Sequence, residues 1–233
     1  MSKSIELLKE EVCQANLDLV KYDLVTLTWG NVSGIDREKD LVVIKPSGVE
    51  YGVLKPSDMV VVNLNGKVVE GNLNPSSDTA THVALYRAFK DIGGVAHSHS
   101  LYGTMFAQAC QEVPCFGTTH ADHFSGSIPV TRFLTESEVE EDYEGNTGAV
   151  IIERFSDLNP IEIPAVLVAG HAPFSWGKSA DDAVKNLLVL ERVSEMVLGT
   201  LHLNSKGNIL PDYVLRKHYE RKHGLLAYYG QKK

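Results

Sequence analysis

No run of apolar residues in this chain reaches the roughly 20 residues that cross a bilayer, which sets aside a helical membrane protein. Nor does the start read as a secretory leader, because Met1-Ser2-Lys3-Ser4 runs straight into a charged amphipathic segment. Cysteine is sparse. Cys13, Cys110 and Cys115 make neither an even set nor a close metal-type pair, so disulfide staples drop out and reduced thiols in a cytoplasmic protein are expected. Positive charge is in deficit as well: 22 Lys and Arg face 30 Asp and Glu, a net charge of −8 that argues against a nucleic-acid surface. An anionic small molecule is not excluded, since one local Lys and a few aligned N–H groups hold a phosphate whatever the overall balance. Long Ser/Gly/Pro linkers, repeats and low-complexity tracts are also missing. The 233 residues, 43% hydrophobic and 22% charged, are therefore expected to form one domain, 1–233, with a full core.

Periodicity supplies the elements. Ile5, Leu8, Val12, Ala15 and Leu19 predict an amphipathic helix capped by Ser4. Leu24 to Thr28 reads as a β-type run broken by Gly30-Asn31, and Asp40 to Lys45 as a strand ended by Pro46-Ser47-Gly48. Met59–Leu64 and Lys67–Glu70 flank Asn65-Gly66, the signal of a type I′ hairpin, which makes part of the sheet antiparallel. Further helices are expected from Thr79, over Leu101 to Gln111, from Ser179, and over Asp212 to His223, where Gly224 stops the last. Val150-Ile151-Ile152 and Pro164–Ala169 read as buried strands, and Ile128 to Thr131 as a brief one.

The most informative stretch is Gly93-Gly94-Val95-Ala96-His97-Ser98-His99. In a strand, side chains two apart project to the same face, so both imidazoles can converge on one ion. Asp78 precedes the helix from Thr79 and reads either as its N-cap or as a further ligand. His171, after the Pro164–Ala169 strand, is either a loop histidine or a third imidazole. Three His and a carboxylate suit zinc or another first-row divalent metal. Near them, Gly30-Asn31, Lys45-Pro46-Ser47-Gly48 and Ser76-Ser77 are turns whose hydroxyls, free N–H groups and single cation suit a phosphate, or are ordinary turns. Asp122, between His120 and His123, is either a turn-stabilising Asp or a proton-transfer group with a pKa raised by burial. Tyr228 and Tyr229 are unusual in a tail, and residues 225–233 are expected to dock onto a neighbouring subunit.

Taken together, Thr28-Trp29-Gly30-Asn31-Val32-Ser33, Ile44-Lys45-Pro46-Ser47-Gly48, Pro75-Ser76-Ser77-Asp78-Thr79, His97-Ser98-His99, Gly117-Thr118-Thr119-His120-Ala121-Asp122, His171 with Pro173-Phe174 and Trp176-Gly177-Lys178, and Lys222-His223-Gly224 with Tyr228-Tyr229-Gly230-Gln231 resemble the L-ribulose-5-phosphate 4-epimerases of the class II aldolase/epimerase superfamily. The resemblance implies a three-layer α/β/α fold with a largely antiparallel central sheet, and a homotetramer with sites between subunits. It implies one divalent cation per subunit, zinc with manganese or cobalt as alternatives, on His97, His99 and His171 with Asp78 beside them. It assigns Gly30, Asn31, Lys45, Ser47, Gly48, Ser76 and Ser77 to a substrate and phosphate cradle. Asp122 becomes one acid/base and Tyr229 the other, from the adjacent subunit, with Thr118, Glu144 and His218 as candidate assistants. The implied activity is interconversion of phosphorylated ketopentoses by retro-aldol cleavage, rotation and re-addition; an aldolase, a dehydratase or a non-catalytic scaffold are the rivals. The related aldolases carry Glu at the position of Asp78, which favours the epimerase. His123 and Ala172 depart from the pattern, where an aromatic and a Gly are expected.

Overall fold

The computed structural model describes residues 4–225 and 227–230. Of the tail expected to dock on a neighbour, Leu226 and Gln231-Lys232-Lys233 lie outside the described residues. Among the described residues, one seven-stranded sheet forms the middle layer, and every pair within it is antiparallel. In chain order the elements are α1 (Ile5–Lys21), β1 (Gly30–Asp36), β2 (Leu41–Ile44), β3 (Val60–Asn63), β4 (Val68–Glu70), α2 (Thr79–Ala88), β5 (Gly94–Ser98), α3 (Leu101–Gln108), α4 (Thr118–Ala121), α5 (Glu136–Arg154), β6 (Ala165–Leu167), β7 (Pro173–Gly177), α6 (Ala180–Leu203) and α7 (Asp212–His223). The strands lie in the order β4-β3-β2-β1-β5-β7-β6.

Alternation along the strands divides the core. Val32, Val43, Val61 and Ala96 face α1 and α6, whereas Val42, Val60, Val62, Val95, Phe174 and Trp176 face α2 and α5. With both faces covered, β1 and β5 are buried along their whole length. A third cluster joins α3 and α6 to β6 through Phe106, Leu190 and Leu167. Arg37, just after β1, closes the far end of α2: its guanidinium donates to the carbonyls of Tyr86 (2.7 Å), Phe89 (2.9 Å) and Ile92 (2.7 Å). Arg37→Ala leaves those carbonyls without their charged donor, and urea unfolding should show a loss of about 3 kcal/mol.

Three local expectations are corrected. Leu24–Thr28 is not a strand: the chain bends at Thr26 and turns over Leu27-Thr28, Leu27 takes φ 53° and is exposed, and among the described residues no strand pairs with the segment. The Asn65-Gly66 hairpin is not type I′, which needs positive φ at both residues. Only Gly66 has it, at 76°, and its N–H donates to Asn63 O at 2.9 Å, as in a type I turn closed by a left-handed glycine. Val150-Ile151-Ile152 lies within helix α5, not in a strand. Thr135 and Glu138 start that helix with a capping box, and its packing on α2, where Gly148 touches Ala84 and Thr81, overrides the local β preference. Strand β7, by contrast, was not expected, and Ile128 and Val130 make only isolated bridges.

Candidate functional site

His97 sits near the end of the central strand β5, opposite Asn31 of β1 and Phe174 of β7. Its ring stacks on Phe174 at 4.1 Å, and its Nδ1 meets Pro173 O at 2.9 Å. A carbonyl oxygen accepts only, so Nδ1 carries the proton and Nε2 is left with its lone pair toward the cleft. His99 follows two residues on, past the strand end. His171 arrives on the β6–β7 connection, where Gly170 takes φ 69° against the Phe133 ring and turns the chain back. The ligand nitrogens of the three histidines all lie within 4.8 Å of one another.

Asp78 holds the N-cap position of α2, yet its side chain makes no capping bond. Oδ2 instead accepts from Asn31 Nδ2 at 2.6 Å and lies 4.0 Å from His97 Nε2. Burial alone would raise its pKa, but His97, His82 and the Asn31 bond outweigh that and hold it below the ordinary carboxylate value. Burial, reinforced by neighbouring imidazoles, lowers the pKa of His99 and brings that of His171 down to about 4. His171 Nδ1 is buried with no hydrogen-bond partner among the described residues. Deprotonated imidazoles, an uncommitted buried nitrogen and an adjacent carboxylate fit a divalent cation.

Every metal and cradle residue expected from the sequence lines one cleft of about 390 Å³. Two of its turns are laced together: Ser47 N donates to Asn74 O and Ser76 N to Lys45 O. The third is tied in by Tyr51, whose hydroxyl donates to Gly30 O at 2.8 Å. Ser47, Gly48 and Ser77 stay exposed at the mouth. Lys45 lies beneath, 2% exposed, with Nζ donating to Val49 O at 2.7 Å; burial brings its pKa down to about 8.

Tyr143 and Glu144 also line the cleft. They follow Asp142, where α5 leaves helical geometry (φ −164°, ψ 86°) and Asp142 Oδ1 accepts from Gly145 N. That kink swings Tyr143 to within 6.2 Å of the His171 ring. Trp29 similarly stands 6.3 Å from His99.

Asp122 and Tyr229 are not among the described residues lining this cleft. Asp122 instead receives α7: Arg221 Nε and Nη2 donate to its oxygens at 3.0 and 2.7 Å, His218 Nδ1 lies at 3.1 Å, and Lys222 Nζ at 3.6 Å. The burial-raised pKa, one of the two readings of Asp122 open from the sequence, is not what the structure gives. Burial pushes upward, but the Arg221 and His218 bonds outweigh it and Asp122 titrates below the ordinary value. Thr118 holds the preceding turn, its carbonyl accepting from Asp122 N at 2.9 Å. Tyr229 is exposed, its ring beneath Arg221 and Lys222 at 5.0 and 4.6 Å.

Residues 10–198 match the family described as Class II Aldolase and Adducin N-terminal domain. The chain belongs to the class II aldolase/epimerase superfamily. Within it, the chain is 55% identical over 225 residues to L-ribulose-5-phosphate 4-epimerase UlaF of Salmonella paratyphi C, covering 97% of this chain and 99% of that one. Among solved structures it is similar to an L-fuculose 1-phosphate aldolase, with TM-score 0.79 and 27% identity over 94% of this chain and 97% of that one. YgbL of Klebsiella pneumoniae shares the superfamily fold at TM-score 0.74 and 24% identity, over 92% of this chain and 99% of that one.

Proposed function

We propose that this chain is a metal-dependent 4-epimerase that interconverts L-ribulose 5-phosphate and D-xylulose 5-phosphate. The observation that carries the reading is the sharing of one cleft by a three-histidine set and a phosphate-sized cradle of turns, in a chain so similar to a named 4-epimerase. Zinc, or manganese or cobalt in its place, would be held by His97, His99 and His171 with Asp78 beside them. Such a cation supplies Lewis-acid stabilisation of the negative charge that develops on the ketose end of the substrate.

The hydrogen on C4 is not acidic, so inversion there requires the C3–C4 bond to break. A base takes the C4 hydroxyl proton, the C4–O bond becomes a carbonyl, and the C3–C4 electron pair passes to the C2–C3 fragment. The released glycolaldehyde phosphate stays on Ser47, Gly48, Ser76 and Ser77 by its phosphate, with Lys45 holding the turn from below. After rotation it presents its other face; C3 re-forms the bond, and an acid returns a proton to the C4 oxygen. Asp122 and Tyr229 are the two proton-transfer groups. Both stand outside the cleft of their own chain, so the reading places them in the cleft of a neighbour within a homotetramer. His218 and Thr118 hold Asp122 in position, and Glu144 faces the substrate.

Asp78, held by Asn31 and His97, is committed beside the histidines, which leaves proton transfer to other groups and favours an epimerase over an aldolase. Cys13, Cys110 and Cys115 stand free, as a reducing cytoplasm keeps them. Among the described residues no helix is long and apolar enough to cross a membrane.

Incubation with L-ribulose 5-phosphate should yield D-xylulose 5-phosphate; accumulation of two fragments would instead establish an aldolase. Dialysis against a chelator should reduce the rate to background, and added zinc, manganese or cobalt should restore it. Full activity in metal-free protein would refute the metal assignment.

A further inference from the structure

We propose that Arg221 is the positioning residue that joins Asp122 and Tyr229 into a single proton-transfer unit. The inference rests on the reading of those two residues as acid and base, and deepens it. Arg221 touches both at once. Its Nε and Nη2 donate to the two carboxylate oxygens of Asp122 at 3.0 and 2.7 Å, a paired geometry that fixes the carboxylate in plane and direction. Its guanidinium carbon stands 5.0 Å from the centre of the Tyr229 ring. Its carbonyl accepts from Tyr228 N at 3.0 Å and Tyr229 N at 3.1 Å, which folds the tail back onto the end of α7.

Among the described residues, Arg221 is the one that hydrogen-bonds both the Asp122 carboxylate and the backbone of the tail. Helix α7 has no buried residue, so its seat on the body is polar. A tail beyond Gly224 would fray without a tether. The charged and titratable groups facing Asp122 are His218, Arg221, Lys222 and His223 from α7, with His223 Nε2 2.9 Å from the Asp122 carbonyl oxygen, and His123 from its own turn; Arg221 and Lys222 face Tyr229. Lys222 lies 3.6 Å from Asp122 and 4.6 Å from the Tyr229 ring centre, contributing charge without a hydrogen-bonded fork. A guanidinium shared by a carboxyl and a phenol favours one negative charge on the pair, and the carboxyl is the stronger acid. Asp122 is then the resting base and Tyr229 the resting acid.

Lys cannot reproduce both bonds to Asp122, which separates charge from geometry in the test. Arg221→Ala and Arg221→Lys are purified, checked for metal content and oligomeric mass, and assayed for kcat and KM across about pH 5 to 9. Arg221→Ala should lower kcat roughly 100-fold with KM changed less than about threefold, and should move the acidic limb of the kcat profile up by about one pH unit. Arg221→Lys should return the limb to its place and recover only part of kcat. Low-millimolar guanidinium should raise the rate of Arg221→Ala. A kcat near the parent's, or a loss equal at every pH that guanidinium does not relieve, overturns the proposal. Asp122→Asn and Tyr229→Phe serve as references. If both are inactive while Arg221→Ala is active, positioning fails and the acid/base reading stands; if both keep full activity, the two fail together.

Discussion

His97→Asn should yield a folded protein that has lost its metal together with its turnover. Of the three histidines, His97 is the one embedded in the sheet: it is 2% exposed, stacked on Phe174 and oriented by Pro173 O. Asn is shorter and places no imidazole nitrogen where Nε2 stands, yet it keeps a polar group able to bond Pro173 O, so the strand pairing has no reason to change. Loss of partners that merely orient a ligand costs about 10- to 100-fold in affinity or activity. Loss of the ligand itself should reach at least the upper end. Elemental analysis of the purified variant beside its kcat/KM checks the claim, with circular dichroism reporting the fold. A variant with full metal content and a hundredfold lower rate would show that His97 acts on substrate and not on the cation.

Two inactive variants should make an active oligomer when combined. His97→Asn damages the cleft, whereas Asp122→Asn damages a cluster that lies elsewhere on the same chain and is anchored by Arg221 and His218. If a working site takes its cleft from one subunit and its acid/base pair from the next, each homomer is inactive for a different reason. Asp122→Asn alone should lose about 10²- to 10⁴-fold in kcat and keep its metal. Co-expressed chains that mix at random should then recover roughly a quarter of parental activity, the chance that an intact cleft meets an intact neighbour. Hybrids no more active than the homomers would mean that cleft and acid/base pair belong to one chain. Because Asp122 and Tyr229 share Arg221, they must cross to a neighbour together; a site that received Tyr229 from one chain and Asp122 from another would have to break that contact.

How much could be read beforehand follows from how local each signal is. His97 and His99 were legible because residues two apart in an extended run fall on one face, and the run stays extended far enough for His99, just past the end of β5, to join His97. The hairpin was legible as a hairpin, but not its turn type, since Asn65 is free to keep negative φ when Gly66 supplies the positive one. Val150 to Ile152 misled because three β-branched residues outweigh a capping signal at Thr135, far upstream in the same element. The direction of the Asp122 shift was hidden for a related reason: its neighbours in sequence suggest burial, while the groups that decide it lie on α7, about a hundred positions away. Tyr143 carried no pattern at all. It reaches the cleft only because α5 bends at Asp142, and nothing in a Glu/Asp-rich helical stretch announces a bend.

The pairing of His97 with Asn31 on one side and Phe174 on the other has a kinetic meaning. Both partners are distant along the chain, so no fragment shorter than most of the protein can assemble the centre. Such pairings close late and slowly, since the entropy of bringing remote segments together is lost before their contacts form. Amide hydrogens of β5 should consequently exchange only when the whole molecule opens, and proteolytic nicking at the β3–β4 rim should leave them protected.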